Sequence, residues 1–316
     1  MKYPARILYY GAVLLWCLLL AGCSQQKTPD NSVRLGYLQN DLHHLPAFVA
    51  LEKKFFKDEG LNVTVAGVFK AGPELMSAFG SGDLDCGYVG QAPATAAVLN
   101  NVAKVKFIAQ VNREGSALVI QSDDPAASFA DLQGKSVAIP GHATMQDFLL
   151  RRAARTSGIS FETLRIIVLK PPEMLQALSQ KQIAAFISWE PYPAQAVSDN
   201  NGKILLTSSQ IWPSHPCCVL VASETLCRTW PATVRKILAA HQRACAFISD
   251  NPEAAISIGM QYTGMARATV AAALKHIVFD PALDREKAGE FVEFLKDLRY
   301  IQSHAPEKSL NDVLYD

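Results

Sequence analysis

The sequence predicts an α/β fold of two lobes joined by two crossings around a ligand cleft, and three observations predict it. From Val33 onward, short apolar strands alternate with helical patterns almost without break, the pattern of sheets covered by helices. The alternation starts afresh after the polar break Asn112-Arg113-Glu114-Gly115, and a helical stretch follows from Pro231. Of the 316 residues, 49% are hydrophobic and 19% charged, a globular balance that excludes a disordered or fibrous chain.

The N-terminus stands outside that fold. Lys2 and Arg6 precede an uncharged apolar run, Ile7 to Leu20, which ends in Leu20-Ala21-Gly22-Cys23. A positive start, an apolar run and small residues before a cut make a secretory signal, 1-22. The run is shorter than the about 17–25 residues that a membrane-spanning helix needs. Leu-Ala-Gly-Cys resembles the bacterial lipobox, which implies that Cys23 is acylated and holds the exported chain to a membrane, on the periplasmic or outer face. Residues 23–32 then read as a tether. The 30 Lys+Arg lose Lys2 and Arg6 with the signal, leaving 28 against 29 Asp+Glu. That near-neutral balance, with no basic run, excludes a nucleic-acid partner.

In the first lobe, 33–114 with 215–316, Val33 to Leu38 reads as a strand and Pro46 to Lys57 as a helix opened by a proline. Strand Leu61 to Phe69, helix Pro73 to Phe79, strand Asp85 to Val89 and helix Pro93 to Leu99 follow. Val105 to Val111 and Ala117 to Gln121 are strands on either side of the polar break. The second lobe, 115–214, repeats the pattern. Ser136 to Ile139, Arg165 to Leu169, Ala184 to Ser188 and Lys203 to Thr207 are strands, with helices Thr144 to Thr156 and Glu173 to Ser179 between them. Cys218 to Ala222 is the last strand, and the chain is expected to be helical from Pro231 to its end. The spacing predicts parallel sheets with helices on both faces. In the helix Pro231 to Ile248, His241 and Cys245 fall on the apolar stripe with Val234, Ile237 and Leu238, so both read as core. Crossings near Glu114-Gly115 and Ser214-His215 would let the lobes hinge around a small solute.

Chemistry-bearing patterns are few. Cys86, Cys217, Cys218, Cys227 and Cys245 remain beyond the lipobox, an odd number that leaves at least one thiol free, and no Cys-x-x-Cys pair supports a structural zinc site. No Ser/His/Asp spacing, phosphate-binding glycine loop or His-Glu-x-x-His occurs. The sequence is therefore read as a non-enzyme without a cofactor.

Gly36-Tyr37, Ala47-Phe48-Val49-Ala50 and Phe55-Phe56-Lys57-Asp58-Glu59-Gly60-Leu61 resemble the opening of the nitrate/sulfonate/taurine-type substrate-binding proteins of ABC importers. Gly82-Asp83-Leu84-Asp85 with Gly87-Tyr88-Val89-Gly90, Asp131-Leu132-Gln133-Gly134-Lys135, and Trp189-Glu190-Pro191-Tyr192 are similar to later segments of that family. The likeness runs from about Val33 to about Tyr262. It implies a type II periplasmic-binding-protein fold, acting as a monomer that captures a small organic solute and delivers it to an ABC permease with its ATPase. A receptor that reports to a sensor instead remains open.

Ligands in open α/β sheets bind beyond the carboxyl ends of the strands. Four loops fall there, and they supply Asn40, Asp41, His43 and His44; Gln91; His142 and Thr144; and Trp189 and Glu190. Three are helix N-termini, which favour an anion. Thr144 caps its helix or offers its hydroxyl, and Trp189 stacks on a flat ligand or ends a core strand. Where the sulfonate branch usually carries hydroxyl residues, His142 and Ala143 stand. Asp41, Glu114 and Glu190 would repel a pure anion, so a solute with a donor end, taurine-like or aminopyrimidine-like, is expected. His215-Pro216-Cys217-Cys218 at the second crossing leaves an alternative, capture of a metal or metal chelate by His43, His44, His215 and Cys217. An enzyme like the thiamine-pyrimidine synthases of this fold is a further alternative, although this chain lacks their longer cysteine cluster and carries an export signal.

Overall fold

A computed structural model describes residues 31–301 and 309–315. The signal segment, Cys23 and nearly all of the tether lie outside the described residues.

Ser32–Leu38 buries alternate residues and forms β1, followed by a 3-10 turn at Leu42–His44 and by α1, Leu45–Glu52, with Pro46 in its first turn. A four-residue helix, α2 (Phe55–Asp58), leads to β2 (Asn62–Phe69), α3 (Gly72–Gly80), β3 (Cys86–Gly90) and α4 (Gln91–Leu99). Next come β4 (Val105–Glu114), β5 (Ser116–Gln121), β6 (Ser136–Ile139) and α5 (Met145–Thr156). The chain continues through β7 (Arg165–Val168), α6 (Pro171–Ser179), β8 (Ala185–Trp189), α7 (Tyr192–Ser198), β9 (Gly202–Thr207) and α8 (Ser208–Ile211). It closes with β10 (Pro216–Ser223), α9 (Glu224–Thr229), α10 (Pro231–Asp250), α11 (Pro252–Thr263), α12 (Arg267–Leu274), β11 (Ile277–Phe279), α13 (Arg285–Asp297) and α14 (Leu310–Val313).

Two sheets result. The first has the order β11-β4-β10-β3-β1-β2 and the second β7-β6-β8-β5-β9. The order of the first sheet is possible only because β10 returns from the second, so its strands lie on both sides of 115–214 in sequence.

Three sequence expectations are corrected here. The sheets are mixed rather than parallel: β10 runs antiparallel to β3 and β4, and β5 antiparallel to β8 and β9. These are the strands that carry the chain across, and a strand that continues over a crossing enters the next sheet against its neighbours' direction. The helix expected over 46–57 breaks at Lys53-Lys54, where Lys54 takes a left-handed φ of 61°. The C-terminal part is not wholly helical, because Ile277–Phe279 pairs antiparallel to β4 as an edge strand.

The break at 112–115 is also much tighter than expected. β4 runs through Glu114 and β5 starts at Ser116, so Gly115 alone connects the two sheets there. Its φ of +87° is left-handed, and a Cβ placed on it would stand 2.3 Å from His43 Nε2. Only glycine satisfies both the backbone and the space.

The core wraps both sheets, with Phe48, Tyr88, Leu118, Phe148 and Phe291 at its heart. His241 and Cys245 are buried, as the helical stripe predicts. His241 Nε2–H donates to the Gln110 carbonyl at 2.9 Å, and its Nδ1 accepts the Tyr88 hydroxyl at 3.1 Å. Burial holds its pKa down at about 4, so the ring is a neutral crosslink between α10 and the sheet.

Candidate functional site

The carboxyl ends of β1, β3 and β8 meet the crossing strand β10 in one cleft. Asp41, His43, Cys217 and Cys218 wall it from the first sheet, and Thr144, Gln146 and Trp189 from the second. The cavity between them is about 20 Å³, room on the order of a water molecule or an ion. A larger depression of about 490 Å³ beside Lys54, Lys57 and Asn62 is lined by the first sheet's side alone, so it is not where the two halves converge.

The loop after β1 is fastened from several directions. Asp41 accepts the His43 backbone N–H at 2.9 Å and so caps the 3-10 turn that carries both histidines. Burial pushes the Asp41 carboxyl up to about 7, against the pull of His43. The Leu42 N–H donates to the Glu190 carbonyl, and the Glu190 N–H donates to the Gly115 carbonyl. The same carbonyl accepts His43 Nε2–H at 2.7 Å. A carbonyl only accepts, so the proton of a neutral His43 ring sits on Nε2 and the Nδ1 lone pair faces the cleft.

That lone pair meets sulfur. Cys217 Sγ lies 3.4 Å and Cys218 Sγ 3.6 Å from His43 Nδ1, and the sulfurs are 3.9 Å apart. Both cysteines are free and buried. Burial raises a thiol's pKa, but the hydrogen bond from Cys218 and the charge of His43 overcome it and draw Cys217 well below the ordinary thiol range. Cys218 is driven well above that range by burial and by its neighbour's charge. His43 feels burial as a lowering, but the Cys217 thiolate and Asp41 outweigh it and hold the ring at about 9. The Cys217 sulfur and the His43 ring thus each favour the other's charged form.

The remaining sequence candidates separate by position. His44 is buried, but its Nδ1 accepts the Leu38 N–H at 3.0 Å. That bond places its proton on Nε2, which points at Asp41 Oδ2 from 3.8 Å and has no lone pair to offer a cation. His215 stacks on Trp212, its Nδ1–H donates to the Pro216 carbonyl at 3.1 Å, and it lies in neither set of close donors among the described residues, His43 with Cys217 and Cys218 or Asp41 with His44 and Cys218. The expected set of His43, His44, His215 and Cys217 is therefore not assembled; Cys218 stands where two histidines were expected. Glu190 is buried, yet its carboxylate accepts from the Ala194 N–H and from His276 Nδ1 at 2.7 Å, so it is already neutralised. Glu114 accepts the Ser214 N–H at 2.7 Å and ties the two crossings to each other. His142 is 59% exposed and stands 4.0 Å from Asp147.

Of the other candidates Thr144 and Trp189 line the cleft, while Asn40 and Gln91 stand next to lining residues, Asp41 and Gly90. Thr144 Oγ1 accepts the Asp147 N–H and donates to the Gly141 carbonyl, so it is the helix cap and a cleft wall together. Trp189 is 4% exposed, and its indole N–H has no partner among the described residues. Gln91, the first residue of α4, is fully buried with both amide atoms unpartnered. Asn40 reaches the Tyr192 hydroxyl from a left-handed backbone.

Comparison with known proteins decides the family. The model of the NMT1-like family matches residues 26–260. The chain belongs to the NMT1-like family. This NMT1-like protein is 28% identical over 241 residues to a putative binding protein of Brucella abortus, covering 75% of this chain and 73% of the relative. It is 23% identical over 254 residues to a putative aliphatic sulfonates-binding protein of Escherichia coli, covering 79% and 77%. Among solved structures it resembles the ligand-binding component of an ABC-type import system from Staphylococcus aureus with zinc bound. That TM-score is 0.79, at 18% identity over 90% of this chain and 96% of the other, and it shows the fold. The relatives that the chain resembles are named as binding proteins, one of them the periplasmic taurine-binding protein of Escherichia coli, and not as enzymes.

Sequence reasoning named His43 and Cys217 but missed Cys218 as their partner. The signal was the Cys-Cys pair itself. Adjacent strand residues point to opposite faces, and only the register shifts of β10 around Cys218 bring both sulfurs to one ring.

Proposed function

We propose that this protein is the lipid-anchored solute receptor of an ABC importer, closing its two lobes over a small solute and presenting the closed form to the permease and ATPase. The observation that carries it is the cleft itself. Its walls come from the two sheets, and the crossing strand β10 adds Cys217 and Cys218 to its lining. The N-termini of α4 and α5 point their free N–H groups toward it, and Trp189 supplies a flat wall with an unpaired donor. Lipid anchoring rests on the Leu20-Ala21-Gly22-Cys23 segment. No helix among the described residues is long and apolar enough to cross a membrane.

Among the described residues no Lys or Arg lines the cleft, and its one ring that tends to a positive charge, His43, already faces the Cys217 sulfur and the buried Asp41 carboxyl. A bare anion such as nitrate would find no unmatched counter-charge there, so the cargo carries a donor or cationic end. A thermal-shift panel on the purified protein, with taurine, alkanesulfonates, nitrate and thiamine-pyrimidine precursors, tests this. At about 100 times the dissociation constant a bound solute stabilises by roughly 2.7 kcal/mol. Deleting the gene and measuring uptake of the hit tests import. Unchanged uptake sinks the receptor reading.

A further inference from the structure

The cluster of His43, Cys217 and Cys218 has a geometry that solute capture does not require. Zinc binds sulfur at about 2.3 Å and imidazole nitrogen at about 2.0–2.1 Å, so at tetrahedral angles two sulfurs stand roughly 3.8 Å apart and sulfur and nitrogen roughly 3.6 Å. The separations here are 3.9 Å between the sulfurs and 3.4 and 3.6 Å from sulfur to Nδ1. Three donors already occupy three corners of such a polyhedron.

The surroundings match as well. A metal-binding imidazole almost always gives its other N–H to a carbonyl or carboxylate, which fixes the tautomer. His43 does so through Nε2 to the Gly115 carbonyl at 2.7 Å. Asp41 Oδ1 stands 3.7 Å from Nδ1 and adds an oxygen acceptor beside the three donors. The cavity of the cleft, about 20 Å³, has the size of an ion, and all three donors line it. Two thiolates with one imidazole select soft or borderline cations over magnesium or calcium.

We propose that His43 Nδ1, Cys217 Sγ and Cys218 Sγ bind a thiophilic d¹⁰ cation, zinc or cuprous copper, and that this cation is cargo of the cleft. The cargo role rests on the receptor reading; the site itself does not. Binding forms three metal–ligand bonds, and the two protons that His43 Nδ1 and the two sulfurs hold between them leave to solvent.

Cobalt(II) is the probe, added to the purified full chain after thiol reduction and removal of the reductant. One equivalent should produce thiolate-to-cobalt charge-transfer bands and the intense visible bands of a tetrahedral ion. Zinc should bleach them, and cuprous ion buffered by a chelator should compete for the same site. Cys217→Ser and Cys218→Ser should each weaken the charge-transfer bands, and His43→Gln should lower zinc affinity about 100-fold or more. Cys227→Ser, with a thiol outside the cleft, should change nothing. Apo melting curves of the variants separate misfolding from lost ligation. Octahedral cobalt spectra, or bands indifferent to all three substitutions, overturn the proposal even if a sulfonate binds. Normal bands with unchanged metal and solute uptake in the deletion strain leave the site standing and overturn its cargo role.

Discussion

His43 donates its Nε2–H to the carbonyl of Gly115, the single residue that links the two sheets at the first crossing, at 2.7 Å. The Glu190 N–H from the second sheet reaches the same oxygen at 2.9 Å. A cleft side chain, the hinge and the opposite lobe therefore share one acceptor.

Gly115→Ala should damage both stability and the cleft. An L-residue at that left-handed φ costs about 1–2 kcal/mol, and the new Cβ must push away His43 Nε2. The melting temperature should fall by several degrees, at roughly 2–4 °C per kcal/mol. An unshifted melt would show that the hinge backbone differs from that described here.

Trp189 should report ligand. Its indole is buried in the cleft wall, whereas Trp230 packs at the start of α10, away from the cleft lining. Solute-dependent fluorescence should vanish in Trp189→Phe and persist in Trp230→Phe. The reverse pattern would place the ligand elsewhere.

His241 makes stability depend on acid. Its folded pKa of about 4 lies below the ordinary 6.5, so between those values the unfolded chain holds the extra proton. Stability should be flat in this residue above about pH 6.5 and fall as pH drops toward 4, by on the order of 3 kcal/mol. Denaturant titrations at several pH values should show a shallower slope for His241→Gln. Part of the slope should remain, because burial also lowers His44 and His215.

His276→Ala should destabilise the chain around Glu190, whose N–H bonds the first crossing at Gly115. It strips a partner from the fully buried Glu190 carboxylate, leaving only the Ala194 N–H. His276 is about one-third exposed, so water softens the loss to roughly 1–3 kcal/mol. Glu190→Gln in the same background should recover stability, since it removes the uncompensated charge. Failure of that rescue would mean the pair contributes packing rather than charge.

Most strands and helices were legible because their periods are local: the apolar alternation of β1 and the proline-led starts of α1, α3 and α10 need no distant partner. Strand direction was not, since β5 and β10 read like any other strand and only the crossing reverses them. The site was half legible. Asp41, His43, Thr144 and Trp189 sit at carboxyl ends of strands where the fold class places them. The fate of Glu190 depended on His276, 86 residues away, and that of His44 on which ring nitrogen met Leu38. Such choices are made by tertiary contacts.

Because one residue carries the first crossing, any swing of the lobes turns about Gly115 and drags its carbonyl with it. Opening would then pull away the acceptor that orients His43 at the moment the cleft meets solvent. If the cleft carries its cargo on that ring, unloading would need no separate trigger: the motion that exposes the cargo would also loosen the ring.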